Sequence, residues 1–173
     1  MSEGGYGPLA MDRDEFGQFI DGVRFPIYVV TAASPRERSG CLLAFASRVA
    51  VERPRYLVSI SQKNRTCDVA RESPYLGVHL LGSDQHDLAK LFGGETTEED
   101  GVDKFDDWPW ESGPGGVPLL ARCPRVMVGK VVARFQLEDH IGHLLDPVEV
   151  RVRDGVPDLA LPDVEDIDPG HPA

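Results

Sequence analysis

Apolar and polar positions recur along this chain in two rhythms, one helical and one strand-like. Phe16, Phe19, Ile20 and Val23 follow Asp12 at helical spacing, which predicts a short amphipathic helix with an aspartate cap. Ile27 to Ala33 is β-rich, and Ser34 to Gly40 predicts a turn after it. Gly40 to Thr66 then holds two strand-like runs joined through Arg53-Pro54, and Lys63-Asn64-Arg65-Thr66 opens a predicted helix over Cys67 to Arg71. Leu76 to Leu81 alternates like a strand, and Leu88, Leu91 and Phe92 share a helical face after Asp84. Two long β-like runs, Arg125 to Leu137 and Ile141 to Val152, are joined through Glu138-Asp139-His140. Six strands, few helices and turn signals between them predict a mainly β domain, a closed or nearly closed antiparallel barrel rather than a βαβ sheet.

The flanks differ from this middle. Residues 1–10, with three glycines and a proline, read as a flexible arm, and 11–153 as the folded domain. Residues 154–173 interleave Pro157, Pro162, Pro169 and Pro172 with acidic residues, so regular packing is not expected there. Gly93 to Gly116 is polar and too long for a tight turn, which suggests a functional or partner-contacting loop. At 173 residues the chain has enough length for one substantial core.

Charge narrows the list of ligands. A net charge of -11 and a pI near 4.8 argue against nucleic-acid binding, which needs a cationic surface. Arg36, Arg38, Arg48, Arg53, Arg55, Lys63 and Arg65 nevertheless crowd one stretch of the first half, so an anion site is expected there. A helix start with free N–H groups, a threonine and two cations suits a phosphate, although a hairpin followed by a capped helix explains the same residues. No apolar run approaches the roughly 20 residues of a membrane span, and no secretory start is present, so a cytoplasmic protein is expected. Three widely spaced cysteines fit a reducing compartment, with Cys41 a small core residue.

Candidate chemistry is sparse. There is no Walker loop, GxGxxG fingerprint or GxSxG elbow. His140 and His143 are three apart on a predicted strand and so diverge, which disfavours a shared metal. His140, next to Asp139, is a candidate proton donor or hydrogen-bond partner, or simply a hairpin turn residue. Trp108 and Trp110 could cover a ring-shaped ligand, although core or interface packing is the commoner role.

One ordered series ties these pieces together. It comprises the strand pair closed by a proline, the Asn-Arg-Thr helix start, the Leu88 to Phe92 helix ending in Phe-Gly-Gly, Asp103-Lys104-Phe105, the run Gly115 to Leu120, and Asp139-His140 before the last strand. The chain resembles the flavin reductase-like family of FMN-binding split barrels over about Ile27 to Val150. The resemblance implies a six-stranded antiparallel split β-barrel of Greek-key type with a few short helices. It also implies a homodimer with FMN, or FAD, near the dimer interface, and NADH or NADPH as reductant, often alongside a partner monooxygenase.

Carried over by this resemblance, Leu43, Ala44, Phe45, Ala46 and Ser47 line the flavin ring and ribityl chain. Ser61, Lys63, Asn64, Arg65 and Thr66 then hold the phosphate, Phe92 and Phe105 border the pocket, and His140 lies on the nicotinamide side. The chain departs from the family at Leu42-Leu43-Ala44-Phe45, where members have a hydroxyl-rich run. That departure also raises a flavin carrier without turnover, or a barrel that takes a deazaflavin or haem.

Overall fold

The computed structural model describes residues 11–94 and 103–168; the expected arm over 1–10, the acidic part of the polar loop and residues 169–173 lie outside this range. Helix α1, Arg13–Ile20, begins as the pattern predicts, with Asp12 accepting a hydrogen bond from Asp14 N at 2.8 Å. Its apolar face packs on almost nothing: none of its residues is buried, and Phe19 is 80% exposed. Val23 lies beyond the helix, past the turn at Gly22.

Strand β1, Tyr28–Ala33, is buried throughout because it is flanked on both edges and covered on both faces. Strand β2, Arg38–Leu43, pairs with one edge and β5, Tyr75–Leu80, with the other, both antiparallel. Between them in sequence come β3, Ala46–Ala50, β4, Arg55–Ser61, and helix α2, Arg65–Glu72. Helix α3, His86–Gly94, follows β5, and the long strands β8, Arg125–Leu137, and β9, His140–Val152, form the closing hairpin. Bulges near Gly129 and Val132 interrupt the ladder of that hairpin, and bulges sharpen local twist. The resulting sheet is antiparallel at every printed pairing and runs β2-β1-β5-β8-β9-β4-β3.

This main sheet has seven strands where the sequence predicts six. The run that begins at Gly40 reads as one strand but folds as two, β2 and β3, broken at Ala44-Phe45. These two strands are the outermost in the pairing order, yet only Ala44 and Phe45 separate them in sequence.

The polar loop also contains order that its composition hides. Asp103 caps a 3-10 turn over Lys104–Asp106, and β6, Trp110–Ser112, pairs with β7, Pro118–Leu120, as a separate small sheet. Thr31 anchors this sheet to β1 by donating its buried hydroxyl to Pro118 O at 2.6 Å.

Two clusters make up most of the interior. One lies between the sheet and α2 and includes Val30, Cys41, Val58, Ile60, Cys67 and Leu145. The other, under α3, gathers Ile27, Val29, Leu88, Phe92 and Phe105. Gly40 lets α3 approach closely, since a Cβ there would lie 2.8 Å from Phe92 Cε1.

The second cluster also draws on residues that the sequence assigned to an irregular tail. Leu159, Ala160 and Val164 are buried, Ile27 N donates to Leu159 O at 3.0 Å, and Leu159 N donates to Leu81 O at 2.9 Å. Residues 154–168 therefore form a strap across the domain, ending in a 3-10 turn over Leu161–Val164. Pro162 is compatible with this because it occupies the first turn, where no internal N–H bond is needed.

Candidate functional site

The break between β2 and β3 places Phe45 at the seam of the sheet. Its carbonyl accepts from Ser59 N at 2.9 Å, which pins the backbone to β4, while its ring remains 58% exposed. That ring meets His140, with centroids 5.3 Å apart and planes at 51°. His140 Nδ1 and Asp139 Oδ1 are 2.7 Å apart, and this hydrogen bond and the nearby imidazole hold the exposed Asp139 carboxyl below its ordinary pKa. His143 lies on the opposite, buried face of β9, as strand alternation requires.

Register brings the phosphate-type loop to the same place. Ser61 ends β4 directly opposite His140, and its hydroxyl accepts from Lys63 N at 3.3 Å. Asn64 is the N-cap of α2, its side chain accepting from Thr66 N at 2.9 Å. Thr66 itself is 1% exposed, and its hydroxyl is shared with Ser39 at 2.8 Å. Arg65 reaches back to the Glu37 carboxylate on the β1–β2 turn, with Nε at 3.2 Å. The surface of this loop is therefore built from Ser61, Lys63, Asn64 and Arg65, with Thr66 bracing it from inside.

Other expected residues are distributed differently. Leu43 and Ala46 pack against the first core, Ala44 against the second, and Ser47 is exposed with its hydroxyl donating to Arg48 O at 3.1 Å. Phe92 and Phe105 form an edge-to-face pair 5.4 Å apart, buried in the second core. Trp110 extends this aromatic stack, and Arg38 lies over its ring at 4.8 Å while pairing with Asp103 at 2.6 Å. Trp108 is anchored by its indole N–H to Ala121 O at 2.9 Å.

Gln62 is a contributor that the sequence reading missed. Its backbone N–H donates to Asp139 O at 2.9 Å and its side-chain amide to Glu138 O at 2.8 Å, fastening the His140 hairpin to the Ser61–Thr66 loop. Gln136 donates to the same carbonyl at 2.7 Å, at a turn where Glu138 takes a φ of 52°. Nothing in the spacing of a lone Gln between Ser61 and Lys63 signals this bridge. Ser39, the partner of Thr66, was likewise hidden inside the predicted turn.

Similar proteins are known in sequence and in structure. An FMN reductase (NADH) RutF of Pseudomonas syringae pv. syringae (strain B728a) is 26% identical over 146 residues, covering 84% of this chain and 80% of that protein. An NADH-dependent flavin reductase of a Rhodococcus species is 30% identical over 147 residues, covering 84% and 78%. Among solved structures, the NADH:FAD oxidoreductase SgcE6 of Streptomyces globisporus C-1027 superposes with a TM-score of 0.78 at 19% identity, covering 92% of this chain and 96% of that one. The pattern shared by the flavin reductase like domain matches residues 20–163, most of the described fold, and this chain belongs to that family.

Proposed function

We propose that this protein is an NAD(P)H-dependent flavin reductase that binds FMN at the seam formed by Leu43 to Ser47. The observation that carries this reading is the convergence of Phe45, His140 and the Ser61–Arg65 loop, held together by Gln62. Bound there, a flavin would supply the ring that accepts hydride. The chain's own groups orient and hold: the cap and cations at the start of α2 take the phosphate, and Asp139 fixes the imidazole of His140. The buried Thr66 hydroxyl positions this loop through Ser39.

The pairing order supports a split barrel, since the outermost strands β2 and β3 are joined by two residues and must lie near each other. A homodimer is supported by apolar side chains on the long hairpin, where Phe135 is 48% and Val150 62% exposed. Among the described residues no helix is long and apolar enough to cross a membrane, and the buried free thiols of Cys41 and Cys67 fit a reducing cytoplasm.

Incubation of the purified protein with FMN and either NADH or NADPH tests the activity. Bleaching of the flavin above the enzyme-free rate is expected, and its absence rejects the reading; tight FMN uptake without bleaching points to a carrier. A second experiment addresses the phosphate. Joint Lys63→Ala and Arg65→Ala substitution should weaken FMN more than riboflavin, and equal losses would place the phosphate elsewhere.

A further inference from the structure

The proposed function leaves Phe45 unassigned: a large apolar ring, more than half exposed, at the centre of the site. Its exposure does not come from a loose loop. Ser59 N holds its carbonyl at 2.9 Å, and Ala46 N turns back to Ala44 O at 3.1 Å, so the side chain projects from a fixed backbone. One side of the ring rests on His140, itself held by Asp139, and the remainder faces solvent.

The surface alongside is apolar and low. Gly142 lies two residues after His140 on the same face of β9. A Cβ at that position would meet Leu137 Cδ1 at 2.7 Å and Leu57 Cδ1 at 3.3 Å, so the leucines close over the glycine and leave no ridge. An exposed aromatic face beside a positioned imidazole and a flat aliphatic floor suits a planar ring. The quadrupole of phenylalanine further favours an electron-poor one.

Resting on the flavin reductase reading above, we propose that Phe45 is the stacking platform for the nicotinamide ring of the hydride donor. In that reading the flavin runs along the backbone of Leu43 to Ser47, whereas the Phe45 side chain leaves that backbone toward His140. The oxidised nicotinamide is a pyridinium cation and gains most from the phenyl face. Phe45 thereby sets affinity for the dinucleotide, while flavin affinity depends on the backbone and on the Ser61–Arg65 loop.

Isothermal titration of NAD+ and fluorescence titration of FMN, each against the full-length protein and its Phe45→Ser, Phe45→Leu and Phe45→Trp variants, test this separately from turnover. Because the ring is exposed, these variants should fold. Phe45→Ser should weaken NAD+ binding by about fivefold or more and leave FMN affinity within about twofold. Phe45→Leu should recover only part of the loss, and Phe45→Trp should restore it. Unchanged NAD+ affinity in Phe45→Ser, a loss confined to FMN, or a wild-type protein that binds no NAD+ would each overturn the platform. A protein that binds NAD+ in a Phe45-dependent way but bleaches no flavin supports the platform and overturns the reductase reading instead.

Discussion

Mild acid should weaken this fold through its buried imidazoles, and His79 lets the effect be worked out. His79 is fully buried on β5; Nδ1 lies 3.0 Å from Val29 O, and Nε2 accepts from Leu120 N at 3.0 Å. The neutral ring therefore satisfies both partners, while a proton on Nε2 would face an N–H donor. Burial pushes its pKa from 6.5 down to about 4. As pH falls, the unfolded chain takes up this proton first. Stability from this group is thus complete above 6.5, declines between 6.5 and about 4, and changes no further below that.

At about 1.4 kcal/mol per pH unit, the window is worth about 3 kcal/mol. His143, also fully buried and pushed down to about 4 by burial and the nearby Arg134 charge, acts with the same sign. Together they rival a sizeable part of the roughly 5–15 kcal/mol that holds a domain folded. Urea unfolding across this pH range provides the assay. His79→Leu should be less stable at neutral pH, because Leu120 N loses its acceptor, yet its stability should fall less steeply between pH 6.5 and 4. A variant as steep as the wild type would refute the reasoning.

Further outcomes can be checked with single substitutions. Gly40→Ala forces a Cβ against the Phe92 ring and Thr31 Cγ2, and should cost about 1–3 kcal/mol in denaturant unfolding. Glu138→Gly relieves a φ of 52°, and should raise the melting temperature by about 2–4 °C. Gln62→Ala removes the amide bond to Glu138 O, and should lower kcat/KM for flavin reduction by about fivefold while leaving the far-ultraviolet circular dichroism unchanged.

Sequence rhythm revealed the strands well where burial on one or both faces imposes it. The β1, β5, β8 and β9 runs were visible because their core-facing positions are apolar, and α1 and α2 because Asp12 and Asn64 are side-chain caps. The break at Ala44-Phe45 was not visible, because both residues fit a strand locally and only the distant pairing of β3 with β4 shows the change of edge. The strap was masked by its acidic residues and prolines, which outweigh Leu159, Ala160 and Val164 in any local window. In the site, the loop from Ser61 to Thr66 was legible as a helix start. The exchange of hydroxyl bonding between Thr66 and Ser39, and the grip of Gln62 on the His140 hairpin, depend on contacts between segments far apart in sequence.

The strap also carries a consequence for the order in which the chain assembles. Pro26 at the threshold of β1 bridges to Ala160, and Gly82 bridges to Asp158, so the layer under α3 is sealed by residues synthesised long after the strands they cover. A nascent chain that has released β1, α2 and α3 must hold Ile27, Leu88 and Phe92 under an incomplete roof until residues 154–164 emerge. Such late, distant contacts slow folding and leave apolar surface open to other chains in the interval. On the ribosome, this end of the protein is where a chaperone would find its hold.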